Sequence, residues 1–485
     1  MNLETLRVHG EEIHQELGRE YYGTGSGLKK DAEFQQIYDR YGDLVSHEAL
    51  ELVLDSGNSE LVGWIVDLRS SRRVAELDEK KHAWEQSASI TVGDARIPYL
   101  KLPIEISNSS DRDYRIKLDS ARADLGATEL NGLLRERFGV EHDEVERLGR
   151  GDYVKVVGNL ADIDLDDLGG QAATFLCETA DVYRDVLSRL ISKRLSRGLD
   201  DLVRSDAAWA FRADEFDSFF ASDVAVEIAH RQMRDMGLDA GQSGRVNFDT
   251  AERPGKQPRA FCVRVRVPHE IYLVLRPRGG HADYRTLWHE LGHAMHFASV
   301  DPEASFEAKW LGDSSVTEGF AMLWDHLTLD RNWLREYAGM PESAARELLF
   351  DLAVSELYMI RRYAAKLFYE LALHRSDFSD LGECYADSLS TATLFHYPPG
   401  DWLLDVDPGF YVARYLRAWQ MEAALAQELT NKFDTDWYRN PRAGSFVQHL
   451  MSRGQGDPAH KLVLDVTGNN LTFEPLLDRL NSLLA

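Results

Sequence analysis

The stretch RTLWHELGHAMH, Arg285 to His296, sets His289 and His293 four residues apart and puts Glu290 directly after the first. An α-helix turns ~100° per residue, so positions four apart lie about 40° from each other on one face. Leu287, Trp288, Leu291, Met295 and Phe297 make the same segment apolar nearly all round, which predicts a buried helix. A buried helix does not carry two imidazoles and a carboxylate without partners. The spacing therefore predicts that His289 and His293 turn their rings toward one cation. Glu290 then stands close enough to handle a water there without being a ligand.

Two protein ligands leave a catalytic zinc site incomplete, because such sites hold three plus an open position. The long motif that continues with a glycine and a third histidine is excluded, since His296 and Ser299 occupy those places. The other solution is a glutamate from a following helix. Glu318 in DSSVTEGFAMLWDHL lies 25 positions beyond His293, just after Ser314, Ser315 and Thr317, which are natural capping residues. Asp325 follows seven residues later on nearly the same face and is the candidate to accept the second N–H of a ligand histidine. With His289, His293 and Glu318 around one Zn2+ per chain, the expected chemistry is attack by metal-activated water, with Glu290 as general base.

The composition is that of an ordinary globular protein, 44% hydrophobic and 28% charged over 485 residues. A net charge of −26 argues against nucleic acid and anionic membranes as partners. Cys177, Cys262 and Cys384 form no CxxC pair, so the expectation is reduced thiols in a cytoplasmic protein. The charged start MNLETLRVHGEEIHQELG has no apolar core of a secretory signal, and no apolar run approaches the ~20 residues of a membrane span.

Helical periodicity dominates the chain. It runs through 31–86 with a break at Gly57-Asn58, and returns over 119–240 around a loop at ADIDLDDLGG. Residues 90–118, including SITVGDARIPYLKLPIEIS, read as short strands or extended chain. A β-ribbon is expected just before the metal motif, where Val263, Val265 and Val267 alternate with Arg264 and Arg266. Pro268-His269 offers its turn and Ile271–Leu275 its second strand. The expected division is an N-terminal helical part over 1–240, a metal-binding part over 241–430, and C-terminal helices over 431–485.

At this point the residues resemble a known family. RTLWHELGHAMH, followed by the glutamate of SVTEGF, looks like the zinc motif of the thimet oligopeptidase and oligoendopeptidase F family. FDTAERPGKQPRAFC, Phe248 to Cys262, is similar to that family's segment before the site. The resemblance is specific over about 245–330 and looser to about 425. It implies a mainly α fold, a helical ellipsoid split by a deep channel, with a small β-ribbon beside the metal helix. It also implies a zinc-dependent metallopeptidase that cleaves internal bonds of short peptides, as a monomer or homodimer. The family's C-terminal tyrosine-rich helix has its counterpart in HYPPGDWLLDVDPGFYVARYLRAW, without the usual paired glycines and dense tyrosines. Aligned on YL, Tyr415 is the expected oxyanion donor, with Tyr411 one turn earlier and His396 or Tyr397 in the loop as further candidates. Two alternatives stay open: a carboxypeptidase Taq-like or dipeptidyl peptidase using the same site, and a helical binding protein that keeps a metal for stability.

Overall fold

The computed structural model describes residues 1–376 and 378–484. It is 69% helical with two small sheets, a mainly α fold as the periodicity predicts. No helix among the described residues is long and apolar enough to cross a membrane.

The first sheet is a hairpin of β1 (Ser89–Val92) and β2 (Ala95–Pro98). The second has the order β3-β5-β4, from Val246–Asp249, Phe261–Arg266 and Glu270–Val274. β4 and β5 are the expected ribbon, antiparallel with Phe261 opposite Val274, and β3 joins β5 in parallel. Side chains alternate across a strand. Phe261, Val263, Val265 and Val274 form a cluster with Tyr22 of the N-terminal helix Leu3–Gly25 on one face. Ile271 and Leu273 belong to the main core on the other, against the metal-motif helix His281–Ser299. β4 and the N-terminal helix thus pack across the boundary expected at 240. The main cluster of buried side chains runs from Leu6 to Leu484 and is interrupted at neither 240 nor 430.

Two local expectations are corrected. Extended structure in 90–118 ends at Pro98; Leu102–Asn108 and Arg112–Glu129 are helices. Leu102 and Ile106, four apart, are buried together, and Pro103 sits in the first turn, where a missing N–H costs no bond. The loop expected over ADIDLDDLGG shrinks to three residues, 162–164. Asp164 accepts the backbone N–H groups of Asp166 and Asp167 and so caps the helix Leu165–Glu178. The break at Gly57 is observed, with Gly57 in the left-handed region closing His47–Ser56. A second break at 41–46, not expected from the pattern, separates that helix from Phe34–Arg40.

The helix pair that matters most is His281–Ser299 against Ser314–Asp325. Their backbones touch at Gly292, where an added Cβ would meet the Ala321 Cα at 2.6 Å. The second helix is pressed in turn on Tyr411–Phe433 at Gly319, where a Cβ would lie 2.8 Å from Met421 Sδ. A glycine-to-alanine change inside a helix ordinarily stabilises by roughly 0.5–1 kcal/mol. Gly292→Ala is predicted to do the reverse, destabilising by ~1–3 kcal/mol through overpacking. Gly170→Ala, in a helix with nothing within 4 Å of its added methyl, should follow the ordinary sign. Urea unfolding midpoints of the two variants check the contrast.

Candidate metal centre

The close approach at Gly292 brings the Glu318 carboxylate over the two imidazoles. Glu318 Oε2 lies 3.4 Å from His289 Nε2 and 3.6 Å from His293 Nε2. One ligand atom from each of the three residues falls within 4.8 Å of the others. The two rings are nearly perpendicular, at 88°, with centroids 4.8 Å apart.

The other atom of each ligand is already held. His289 Nδ1 is 2.8 Å from Asp325 Oδ2, the partner expected from sequence. His293 Nδ1 is 2.9 Å from Thr317 Oγ1, so Thr317 serves the metal group rather than the helix cap. The cap is Asp313, which accepts from Ser315 N at 2.8 Å. Glu318 Oε1 accepts the Tyr411 hydroxyl at 2.7 Å. What remains is Glu318 Oε2, buried and without a hydrogen-bond partner, facing both Nε2 atoms. A buried carboxylate oxygen does not stay unpartnered without cost. Two neutral-capable imidazoles, one carboxylate and that orphan oxygen fit a divalent cation of the zinc type.

Electrostatics agree with the geometry. Burial alone would raise the Glu318 carboxyl, but the two imidazoles outweigh it and hold the group well below the usual carboxylate range. Burial alone would lower His289, but the Asp325 and Glu318 carboxylates beside it lift it to about 10. The two shifts are opposite in sign because carboxylate and imidazole stabilise each other's charged form across the gap between them. Burial raises the neighbouring Glu290, tempered by the two histidines and by a hydrogen bond from the Cys262 backbone N–H of β4.

Behind Asp325 lies a charged assembly that the sequence pattern did not reveal. Arg285 donates to Asp325 at 3.1 Å and to Glu356 at 2.9 Å. Glu356 also meets His326 Nε2 at 2.8 Å and accepts from Trp419 Nε1 at 2.6 Å. Burial would lower His326, but Glu422 and Glu356 hold it up to about 9. The only early signal was the run of charged residues on otherwise apolar helices.

The remaining candidates separate. Tyr411 and Tyr415 pack edge to face at 5.1 Å, and Tyr415 also meets Tyr363 at 5.4 Å. Tyr411 is bound to Glu318, while the Tyr415 hydroxyl has no hydrogen bond among the described residues; burial and then the Glu318 charge keep it protonated. The His396 backbone bridges to Val203, and its exposed imidazole makes no hydrogen bond, ion pair or ring contact with the triad among the described residues. Tyr397 bonds Tyr358 at 2.6 Å in a buried pair. His296, the third histidine of the motif, turns away, with Nε2 3.3 Å from the Gly454 carbonyl and its ring against Phe320; burial pushes it down to about 3.

No family model matches the chain, and no curated protein does. The site therefore stands on its own geometry. Glu318→Ala is predicted to leave a purified protein with little bound metal. Asp325→Ala is predicted to weaken metal affinity ~10–100-fold, the usual effect of losing a partner behind a ligand histidine. Metal stoichiometry by mass spectrometry and competition with a chelating dye measure the two effects.

Proposed function

We propose that the chain is a zinc-dependent oligopeptidase, of the thimet oligopeptidase and oligoendopeptidase F type, that hydrolyses internal bonds of short peptides. The observation that carries this reading is Glu290, a carboxylate placed directly beside the His289–His293–Glu318 group and not needed as a ligand. A structural metal site has no use for a second, unligated carboxylate with a raised pKa; a hydrolytic one requires it.

Zinc held by His289, His293 and Glu318 would supply Lewis acidity, making water a nucleophile near neutral pH and polarising the scissile carbonyl. Glu290 takes the proton from the attacking water and delivers it to the leaving amide nitrogen. Its burial raises its basicity toward the range this task needs. Asp325 and Thr317 fix the ring orientation of the two ligands. Tyr411 fixes the Glu318 carboxylate. Tyr415, with a free hydroxyl kept neutral by burial, donates to the oxygen that becomes negative as the carbonyl is attacked. The acidic surface implied by the net charge leaves peptides, not nucleic acid, as the partner.

The reading separates from a metal-stabilised binding protein by one substitution. Glu290→Gln is predicted to keep about one metal per chain and to lose nearly all hydrolysis of a mixed peptide library. Unchanged cleavage would remove Glu290 from the mechanism. Tyr415→Phe is predicted to lower kcat ~10²–10³-fold with metal content intact; stopped assays followed by mass spectrometry give both numbers.

A further inference from the structure

A cavity of ≈ 750 Å³ is lined by residues far apart in sequence, among them His14, Trp64, Trp310, Arg264 and Arg414. None of the three ligands lines it. Its wall reaches Ser314, one turn before Glu318, and Arg414, one turn after Tyr411.

Arg264 is the unusual residue of this wall. It stands two positions beyond Cys262 on β4, on the same face of the strand, and so roughly 7 Å farther along it. Its guanidinium is sandwiched against aromatic faces, 4.9 Å from the Phe297 centroid and 5.4 Å from that of Trp310. Nη1 donates to the Lys309 carbonyl at 3.3 Å and to Gln455 Oε1 at 2.7 Å, and Nη2 to the Trp310 carbonyl at 3.1 Å. Every one of these partners is neutral. Among the described residues no carboxylate oxygen comes within 4.0 Å of it. Among the described residues Nε–H, which with Nη2 makes the fork that takes a carboxylate through two bonds, makes no hydrogen bond.

The surroundings leave this charge uncompensated. Burial, and next the charge of Arg264 itself, push His14 down to about 3, so that ring is neutral. Asp67, also on the wall, is raised to about 6 by burial and is opposed chiefly by Arg414 rather than Arg264. Arg414 donates to Ser314 Oγ at 3.1 Å. A half-buried guanidinium that faces a cavity and has no acidic partner is a place suited to an anion.

The distance to the metal group bounds where on a peptide such an anion would sit. The Phe297 ring that supports Arg264 lies 6.1 Å from the His293 ring, so the guanidinium is within about 11 Å of that imidazole. Three extended residues cover that span at ~3.3–3.6 Å each. We infer that Arg264 is a specificity-determining residue that captures a carboxylate of the peptide substrate, either its C-terminus or an Asp or Glu side chain, within about three residues of the bond that is cut. The inference rests on the oligopeptidase reading for the word substrate; the carboxylate site itself does not.

The test uses the full-length zinc-loaded Glu290→Gln protein, so that peptides bind without being consumed. Hexapeptides blocked at both ends, with one glutamate walked along an otherwise neutral sequence, are titrated by calorimetry beside their glutamine counterparts. The neutral sequence with a free C-terminal acid completes the set. We expect one glutamate position, or the free acid, to bind at least tenfold more tightly than its neutral counterpart, and the successful arm identifies the source. Adding Arg264→Gln is expected to erase the difference, and Arg264→Lys, which keeps charge without the fork, to restore only part of it. Binding of all glutamate and free-acid peptides within twofold of the neutral ones would overturn the inference even if the arginine variants do not fold. So would a preference that survives Arg264→Gln. Failure of the wild-type enzyme to cut any peptide, with the carboxylate preference present, would instead overturn the oligopeptidase reading alone.

Discussion

The structure depends on the contact between two helices at Gly292 and Ala321. There the backbones of His281–Ser299 and Ser314–Asp325 approach closely, and the Glu318 side chain reaches two imidazoles. The approach is set by the absent side chain at Gly292; Gly319 performs the same service between the second helix and Met421 of Tyr411–Phe433. Aromatic packing holds the pair from behind: Trp288 and Trp324 are fully buried, and Trp288 stands edge-on to Trp333 at 5.2 Å. The geometry of the metal group is thus a consequence of core packing, and every ligand sits on a helix rather than a loop. Rigid placement of this kind keeps a catalytic group within the narrow tolerances that chemistry needs.

Burying that much charge demands compensation in depth. The triad carries one carboxylate, Asp325 adds a second beside it, and Glu356 and Glu422 follow around His326. Arg285 is shared between Asp325 and Glu356, and Arg479, from the last helix Glu474–Leu484, pairs with Glu422 at 2.6 Å. Charges alternate along this line. Each carboxylate has a cation on at least one side, which is how ionised groups persist in a low-dielectric interior. The line also ties the C-terminal helix to the orientation of His289, some hundred and ninety residues away in sequence.

Much of this was legible in the amino-acid sequence, for definite reasons. The histidine spacing, the glutamate one turn into an apolar helix and the Val263–Val267 alternation are periodic signals, and period is what a chain exposes most openly. Asp325 was legible because it repeats at seven residues, two turns on. The rest depends on contacts that no local pattern carries. Thr317 reads as a capping residue until the His293 ring is seen against it. Tyr411 and Tyr415 are equivalent by spacing, and only the fold shows that one hydroxyl is bound to Glu318 while the other is free. His396 looks available in a Pro- and Gly-rich loop, yet pairing with Leu202 and Arg204 fixes its backbone elsewhere. Asp and Gly in ADIDLDDLGG suggested a loop because the roles of Asp164 as cap and of Asp166 and Asp167 as first-turn acids depend on where the helix begins.

The central claim is that His289, His293 and Glu318 close on one divalent cation while Glu290 stays free. Crystals of the zinc-loaded protein, with anomalous data collected on both sides of the zinc absorption edge, address it most directly. The account predicts a single strong peak per chain at roughly 2.0–2.2 Å from both Nε2 atoms and a Glu318 oxygen, with Glu290 outside bonding distance. A peak bound by Glu290 in place of Glu318, or no peak between the two imidazoles, would contradict it.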